Sequence, residues 1–382
     1  SQDEGIFVAY PCPDLVTVRY AEKPEVPAPQ DRPLGEIGPW LHIDGEGKIT
    51  VAIGKAEVGQ NTRTAMGQIV AEELRVPLES VRVVMGDTEL TPFDMGTFGS
   101  RSTPVTGPQV WKVGATARET VLELAAAIWK VDQAELQLQD GTVSHPQSGR
   151  TASLGELAQD RSILRIATDD APVTPPTAWK TAGQSAAKLG GQAFVTAQHH
   201  YASDQMLPGM RYGKILRPPA YRATLASIDT NAAEAMSGVT VVRDGDFVGV
   251  TAPDEQTASQ ALEAIRVRWQ TEMQVSQPEL FDYLKANPLE PVEGDRRRMP
   301  YLATEGSVEE GLATAHLTLS QSYTVDYIAH APLEPRAALA EWQGDRLLVW
   351  TGTSRPFGVR TELAMAFAIP ESQIRVIVPD TG

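Results

Sequence analysis

The chain has 382 residues, of which 42% are hydrophobic and 21% are charged, and its formal net charge is −16. This length and composition predict a soluble globular protein with two or three domains and argue against large-scale disorder. The negative charge argues against nucleic acid or an anionic membrane as a partner, because no basic patch stands out in the sequence to neutralise phosphates. The longest apolar runs fall far short of the roughly 20 residues that a bilayer span requires, so no membrane span is expected.

The sequence contains one cysteine, Cys12. A single cysteine excludes an internal disulfide, and an iron–sulfur cluster, a covalent haem site or a cysteine zinc site would require more of them. Any electron relay is therefore expected on another polypeptide. Cys12 itself lies between two prolines and is interpreted as a packed or exposed bystander.

The N-terminal region, residues 1–38, is predicted to be an arm, because its run EKPEVPAPQDRP is rich in proline and polar residues. Such a run sustains neither a helix nor an inner strand. No secretory leader, in which charged residues are followed by an apolar run, is visible at the start of the sequence. From Pro39, the alternating pattern of WLHIDGEGKITVAIG, with GEG at its centre, predicts a β-hairpin.

Two loops rich in glycine and hydroxyl groups follow within residues 54–103, on either side of one predicted helix. Apolar residues at helical spacing indicate that helix, and Asn61 or Thr62 is predicted to cap it. The segment VRVVMGDT is predicted to be extended. A second helix is predicted to begin at Pro108, since proline suits a first helical turn.

The loop GTFGSRST, residues 96–103, offers two glycines, four hydroxyls and Arg101 ahead of that second helix. Backbone N–H groups at glycine turns, hydroxyl donors, a guanidinium and two helix N-termini suit a phosphorylated, extended ligand. Clusters of glycine, serine and threonine are also common in ordinary loops. Composition alone leaves both interpretations open.

Two motifs in these loops resemble those of a known family. Glu57, Gly59, Gln60 and Thr64 match an E-M-G-Q-G-x-x-T motif, and residues 99–101 match a later G-S-R loop. Both are typical of the molybdopterin-binding large subunit of the molybdenum hydroxylases, the xanthine dehydrogenase and aldehyde oxidoreductase family. The resemblance is to the permuted branch typified by isoquinoline 1-oxidoreductase. In that family both loops contact the pyranopterin cofactor.

This resemblance implies a set of cofactor-binding residues in the two loops. They are Gly59, Gln60, Asn61, Thr62, Gly96, Thr97, Gly99, Ser100, Arg101 and Ser102. The sequence departs from the family motif at Val58 and Asn61, where the family prefers methionine and glycine. A positive φ is therefore expected to be less accessible at Asn61.

The chain after the second loop divides into further predicted segments. Residues 39–170 are predicted to form one α+β unit, because a helical pattern after Pro108 is followed by the strand–turn–strand pattern AELQLQDGTVSH. Residues 171–192 are predicted to be a linker, because proline and glycine punctuate them. Residues 193–275 resemble the family's α/β hammerhead domain through the pieces YASD, LPGM, LRPP and SGVTVV.

A second linker is predicted over residues 276–300, and residues 301–382 resemble the first part of the family's main cofactor-binding domain. The implied fold class is α+β, with a cofactor-binding α+β domain, an α/β hammerhead domain and the start of a second cofactor-binding domain. In the family, a segment like IRVIVPDTG, residues 374–382 here, leads into a glycine-rich loop and a distant glutamate that acts as the general base. The C-terminal half of the large subunit is therefore expected as a second chain or a missing segment, and no catalytic residue is assigned to this chain.

His330 and Glu334 are four residues apart in HAPLEP, a spacing that could bind zinc on a helix. Pro332 and Pro335 forbid a regular helix there, so no metal ligand is assigned in this chain. By resemblance this segment lies near the active site, which places Glu334 close to the metal of the cofactor. A strand end with a hydrogen-bonded carboxylate is the alternative.

Ser354 lies in TGTSRPFG, where the family pattern is T-G-T-Q-x-P and the glutamine points towards a ligand of the metal. Serine is shorter and has fewer donors. The resemblance therefore predicts a more open pocket, in which a water or another side chain bridges Ser354 to the metal ligand. The alternative is that serine replaced the family glutamine by neutral drift, at a position in the wall of the pocket.

The implied function is that of one part of a molybdenum hydroxylase, which oxidises a C–H group of an N-heteroaromatic or aldehyde with oxygen from water. The implied cofactor is molybdenum with molybdopterin cytosine dinucleotide. Electrons would pass to iron–sulfur clusters on a separate small subunit, and a cytochrome c is left open as a further partner. A periplasmic location is expected by resemblance, with a cytoplasmic one left open.

Two other classes of function remain as alternatives. The first is a non-catalytic molybdopterin carrier or assembly subunit. The second is a phosphometabolite or nucleotide-binding enzyme of another kind. The second class is disfavoured because the sequence has neither a G-x-x-x-x-G-K-[ST] loop nor a G-x-G-x-x-G motif after a strand.

Overall fold

A computed structural model describes residues 4–10, 40–292 and 303–382. Helices and strands both contribute, which confirms the α+β class. The chain divides into two compact units. The first comprises Ser1–Gln205 together with His330–Gly382, and the second comprises Met206–Ala329. Cys12 and most of the predicted N-terminal arm lie outside the described residues.

A five-stranded sheet forms the base of the first unit. Its strands are β1 (Gly5–Ala9), β2 (Leu41–Ile43), β3 (Ile49–Ile53), β4 (Val81–Met85) and β8 (Ser162–Ile166), in the order β4-β3-β2-β1-β8. The predicted hairpin is confirmed, because β2 pairs with β3 in antiparallel register. The alternation of apolar residues that predicted the hairpin also buries its apolar side chains against the helices.

The structure differs from the sequence expectation at β1, which was included in the N-terminal arm. The segment GIFVA is an inner strand of the sheet, antiparallel to β2 and parallel to β8. Ile6 and Val8 are fully buried. The proline-rich run begins only after this segment, so nothing in residues 5–9 opposes an extended conformation.

Two helices cover one face of this sheet, α1 (Thr62–Leu74) and α2 (Gly107–Trp129). A short π-helical turn, Ser102–Thr106, precedes α2, whose start lies within one residue of the predicted position. The side chains that fill the space between the helices and the sheet include Met66, Val70, Val110, Val113 and Val121. Near the end of α2, Ile128 is 48% exposed.

A small antiparallel sheet and a short helix complete the N-terminal part of this unit. They are β5 (Gln137–Gln139), β6 (Thr142–His145), β7 (Arg150–Ser153) and α3 (Leu154–Ala158). The predicted strand–turn–strand pattern corresponds to β5 and β6. A capping box between Ser153 and Glu156 begins α3.

The predicted linker 171–192 is held tightly against α1. The Glu72 carboxylate accepts hydrogen bonds from the backbone N–H groups of Lys180 (2.8 Å), Thr181 (2.6 Å) and Ala182 (3.1 Å). The neighbouring Glu73 carboxylate accepts one from Thr174 N–H at 2.6 Å. Two buried carboxylates thus fix this segment, whose lack of apolar periodicity is why the sequence pattern predicted a linker.

Replacing Glu72 with glutamine is expected to lower the free energy of unfolding by about 1.5–3 kcal/mol. The amide cannot accept from the three N–H groups and from Arg75, which donates to the same carboxylate at 2.8 Å. Amide hydrogen exchange at residues 180–182 should speed up. Glu79→Gln is the control, since Glu79 is exposed and makes no hydrogen bond within the described residues. Equal stability of the two variants would contradict this role.

The effect of Glu72→Gln should depend on pH. Burial opposes the charge of Glu72, but the backbone N–H donors of Thr181, Lys180 and Ala182 outweigh it and lower the pKa of this carboxyl below its ordinary value of 4.5. A carboxyl with a lowered pKa stabilises the fold at pH values above its pKa in the unfolded state. This stabilisation is lost as the pH falls through its pKa in the folded state. Burial raises the pKa of Glu73, so the contribution of Glu73 to stability has the opposite dependence on pH. The cost of Glu72→Gln should therefore be full at pH 7 and shrink below about pH 4.5.

A short helix, α4 (Gly191–Val195), lies near the end of the N-terminal part of the first unit. The second unit begins with β9 (Tyr212–Ile215), β10 (Thr224–Asp229), α5 (Asn231–Glu234), β11 (Thr240–Asp244), β12 (Phe247–Ala252), α6 (Glu255–Ala264) and β13 (Arg266–Gln270). The strands form a three-stranded sheet, β11-β12-β9, and a two-stranded sheet, β10-β13. The predicted alternation of strands and helices is confirmed, whereas the hammerhead assignment stays a prediction.

The predicted second linker contains a helix, α7 (Leu280–Ala286), and its last part, residues 293–300, lies outside the described residues. Another short helix, α8 (Val308–Thr314), follows. Residues 315–337 then contain no helix or strand. Their apolar side chains at alternate positions are strongly exposed: Leu317 (74%), Leu319 (89%), Tyr323 (87%), Val325 (76%) and Tyr327 (74%).

The C-terminal part of the first unit contains β14 (Ala338–Gln343), β15 (Arg346–Thr351), α9 (Pro356–Phe367) and β16 (Ile374–Ile377). The strands form one sheet in the order β14-β15-β16, with β15 and β16 parallel. This part packs on residues 54–101. Val378 N–H donates to Gly86 O at 2.8 Å, and the Arg375 guanidinium binds the Asp87 carboxylate at 2.6 and 3.0 Å.

In the ranges that the structure describes, no helix is long and apolar enough to cross a membrane.

Candidate functional site

Three loops of the first unit converge around Thr97. They follow β3, precede α2 and connect β15 to α9. The Thr97 hydroxyl accepts a hydrogen bond from Ala56 N–H at 2.8 Å, and Thr97 N–H donates to Ser354 O at 2.7 Å. The structure therefore brings both predicted cofactor loops and the Ser354 loop together, although Ser354 is more than 250 residues away in sequence.

A buried ion pair fixes the same junction. Lys55 is 5% exposed, and its ammonium group donates to Asp94 Oδ1 and to Gly96 O, both at 2.8 Å. Gly96 has φ of 133°, and a Cβ there would meet the Phe98 ring at 2.6 Å and Arg355 Cγ at 2.9 Å. A side chain at Gly96 would therefore push the two loops apart.

Glu57 caps the start of α1, a role that the sequence pattern did not indicate. Glu57 Oε1 accepts from Gly59 N–H (3.2 Å) and Asn61 N–H (2.8 Å), and Oε2 accepts from Arg63 N–H (2.9 Å). The carboxylate is buried, at 2% exposure of the residue. Asn61 is the N-cap residue, as predicted, but neither its side chain nor that of Thr62 accepts a backbone N–H there. Asn61 Oδ1 instead accepts from the Thr64 hydroxyl at 2.7 Å.

The expectation that Asn61 resists a positive φ was wrong, because Asn61 has φ of 65°. Asparagine tolerates this left-handed conformation better than other non-glycine residues. The Gln60 carboxamide is engaged within its own loop, since it accepts from Val58 N–H at 2.7 Å and donates to Ala56 O at 3.1 Å. Its side chain is thus a brace for the loop.

The second loop is open. Gly99 and Ser100 are exposed, with φ of 65° and 56°. Within the described residues, the N–H groups of residues 99–103 donate no hydrogen bond, and the exposed Arg101 guanidinium has neither a hydrogen bond nor an ion pair. The π-helical turn Ser102–Thr106 and then the 23-residue helix α2 continue from this loop, and neither start has a side-chain cap. Free donors, positive charge and an uncapped helix N-terminus make this loop suitable for an anion.

Most of the predicted ligand residues lie on an open face, but Thr62 (4% exposed) and Gly96 are buried. Gly59, Gln60 and Asn61 in the first loop are exposed, as is Arg101 in the second. A cavity of about 370 Å³ lies near the start of α1, lined in part by Arg63, His199 and Asp380, and none of the predicted ligand residues lines it. The predicted ligand residues that are exposed therefore lie on an open face of the first unit and not in this cavity.

Exposed apolar side chains surround the second loop. They include Phe93 (44%), Met95 (49%), Phe98 (47%) and Val105 (41%). Apolar side chains clustered on a surface in this way mark contacts with another polypeptide or a ligand.

Glu334 is a hydrogen-bonded carboxylate at the edge of this face. Its Oε2 accepts from the Thr381 hydroxyl at 2.8 Å and from Gly382 N–H. Thr381 N–H donates in turn to Glu57 O at 2.9 Å. His330 is exposed, and the described part of the chain contains no cluster of three or more His, Cys, Asp or Glu side chains that could hold a metal ion. These contacts correspond to the alternative interpretation of HAPLEP as a segment with a hydrogen-bonded carboxylate.

Sequence comparison identifies the two parts of the chain that build this face. Residues 23–202 match a family model described as a molybdopterin cofactor-binding domain, and residues 293–382 match a second model with the same description. Both predicted cofactor loops lie within the first match. Ser354, Glu334 and Thr381 lie within the second.

Several curated proteins are similar to almost the whole chain. A nicotinate dehydrogenase subunit of Pseudomonas putida is 31% identical over 351 residues, which cover 90% of this chain and 29% of the relative. A membrane-bound aldehyde dehydrogenase of Gluconacetobacter polyoxogenes, named for pyrroloquinoline quinone, is 26% identical over 91% of this chain and 47% of the relative. The beta subunit of isoquinoline 1-oxidoreductase from Brevundimonas diminuta is 23% identical over 90% of this chain and 50% of the relative. The chain thus spans half or less of the length of these relatives.

Proposed function

Because the chain belongs to the molybdopterin-binding large subunits of the molybdenum hydroxylase family, we propose that it forms one face of the active centre of such an enzyme. The proposed reaction is the oxidation of a C–H group with oxygen from water. The observation that carries the proposal is the set of free donors at residues 99–103, beside the loops that the two family matches bring together.

The donor set fits the proposed cofactor. A pterin dinucleotide carries phosphates, and Arg101 with the free N–H groups of residues 99–103 offers a charged, preorganised site for them. Gly96 and Thr97 hold this loop against the Ser354 loop. When bound, the molybdenum of the cofactor supplies the two-electron oxidation of the substrate.

The described residues position the cofactor rather than move protons. Thr97 and Lys55 fix the relative place of the loops, and Gln60 braces the first loop. The Ser354 side chain makes no hydrogen bond within the described residues, so its hydroxyl is available towards the open face. The expectation that a water or another side chain bridges Ser354 to a metal ligand stays part of this proposal.

The substrate class that we propose is an N-heteroaromatic. Support comes from the names of two similar proteins, one a nicotinate dehydrogenase and the other an isoquinoline oxidoreductase. An aldehyde is the second candidate, supported by the name of the aldehyde dehydrogenase relative.

The proposal includes further components. The cofactor would be the cytosine dinucleotide form, and iron–sulfur clusters would lie on a separate small subunit, since the single cysteine of this chain cannot bind one. The remainder of the large subunit would cover the open face, and a cytochrome c could accept the electrons. A periplasmic location rests on the sequence resemblance.

We expect molybdenum and a pterin dinucleotide to copurify with the complete native protein. Elemental analysis should give about one molybdenum per complete large subunit, and release of the pterin should give a matching amount of dinucleotide. A preparation with a full complement of polypeptides but no molybdenum would contradict the proposal. A cofactor-loaded preparation without any completing polypeptide or electron-transfer subunit would favour the carrier alternative.

A further inference from the structure

The Glu57 carboxylate occupies the position that an anionic ligand takes at a helix N-terminus. It accepts three backbone N–H hydrogen bonds at the start of α1, between 2.8 and 3.2 Å. The first turn of α1 contains no acidic residue, so Glu57 supplies the negative charge at the start of this helix. A helix N-terminus carries roughly half a positive charge, and a buried carboxylate there neutralises this charge.

The remaining donors of the first loop are few. Val58 N–H donates to the Gln60 side chain, so four of the N–H groups between residues 58 and 63 are already engaged. A phosphate brought to this loop would also meet the negative charge of Glu57 at close range. The second loop has the opposite character, with free N–H groups and the unpaired Arg101 within the described residues.

We infer that Glu57 is a positioning residue. It divides the cofactor surface into a part that contacts uncharged groups of the cofactor and a part that binds its phosphates. The loop of residues 58–62 contacts an uncharged edge of the cofactor, and the phosphates bind at residues 99–103. This inference rests on the proposed function. Glu57 also fixes the first loop to the C-terminal segment, because its carbonyl accepts from Thr381 N–H at 2.9 Å.

The first experiment needs no variant. Amide hydrogen exchange is measured on the complete protein after removal of the cofactor, with and without inorganic pyrophosphate. Pyrophosphate should slow exchange at residues 98–106 and leave residues 57–64 unchanged. Slower exchange at residues 57–64 would overturn the division of the surface, because it would place the anion at the start of α1.

The second experiment replaces Glu57 with glutamine in the complete protein. The amide oxygen can still accept from Gly59 and Asn61, but its NH₂ group faces Arg63 N–H. We expect about tenfold less molybdenum and pterin retained per polypeptide, since a lost charge-assisted hydrogen bond typically changes an equilibrium by this amount. A phosphate site at α1 would predict the reverse, because removal of the carboxylate would strengthen anion binding. Unchanged or increased cofactor content would therefore overturn the inference.

Glu156→Gln is the matched control. Glu156 also accepts a backbone N–H at the start of a helix, from Ser153 at 2.7 Å, but it belongs to α3. This variant should retain the cofactor content of the wild type. If the wild-type protein holds no molybdenum cofactor, the proposed function fails, whereas the pyrophosphate experiment still decides whether Glu57 excludes anions from the first loop.

Discussion

Arg101→Ala is expected to lower the molybdenum and pterin content of the complete protein by about 10- to 100-fold at limiting cofactor. The Arg101 guanidinium is the main positive charge of the open loop, and it is exposed without a partner among the described residues. Loss of a charge-assisted hydrogen bond typically costs about 1.5–3 kcal/mol, which corresponds to this range. Arg101→Lys should have an intermediate effect, because lysine keeps the charge but not the planar fork.

Arg82→Ala provides the control for this prediction. Arg82 is also exposed and without an ion pair within the described residues, but it lies on β4 outside both loops. Molybdenum content measured by elemental analysis should remain at the wild-type level in this variant. Equal content in the Arg101 and Arg82 variants would remove the phosphate-binding role from the second loop.

The segment of residues 316–328 is expected to be the first site of protease cleavage when the chain is produced without the proposed remainder of the large subunit. Its apolar side chains at alternate positions are 74–89% exposed, and its backbone N–H groups donate no hydrogen bond within the described residues. Alternation of this kind is typical of a β-strand with one buried face. Coexpression with the remainder of the large subunit should protect the segment and reduce aggregation of the chain.

Two substitutions test which side of this segment is covered. Val325→Lys places a charge on the apolar side and should reduce the yield of the assembled protein severalfold. Thr324→Lys places the same charge on the opposite side and should have little effect. Limited proteolysis followed by mass spectrometry locates the cleavage. Cleavage that is equally fast in the presence of the remaining polypeptide would show that the segment stays uncovered.

Local patterns in the sequence were sufficient to predict much of the first unit. Alternation predicted the hairpin of β2 and β3, and apolar spacing predicted α1 and α2. The strand β1 was missed because its parallel partner β8 lies more than 150 residues away, and pairing at that distance leaves no local signal. The attachment of residues 171–192 was missed because backbone N–H groups make the contacts with Glu72 and Glu73, and every residue type except proline carries such a group.

The candidate site was predicted as a set of loops but not in its internal arrangement. The glycine and hydroxyl pattern identified both loops, and the family motif identified Ser354 as a neighbour. The cap by Glu57 was missed because a helix cap is normally sought at the residue next to the first turn. Glu57 instead reaches the start of α1 across a loop whose bend depends on the positive φ of Gly59 and Asn61.

The hydrogen bond from Thr381 to Glu57 and the ion pair of Arg63 with Asp380 join positions that are more than 300 residues apart. Contacts of such high sequence separation form slowly, because a long loop must close before any of them contributes. During synthesis the first loop leaves the ribosome long before the segment that anchors it. The proposed cofactor surface is therefore completed late in folding, and we expect insertion of the cofactor to follow the docking of residues 374–381.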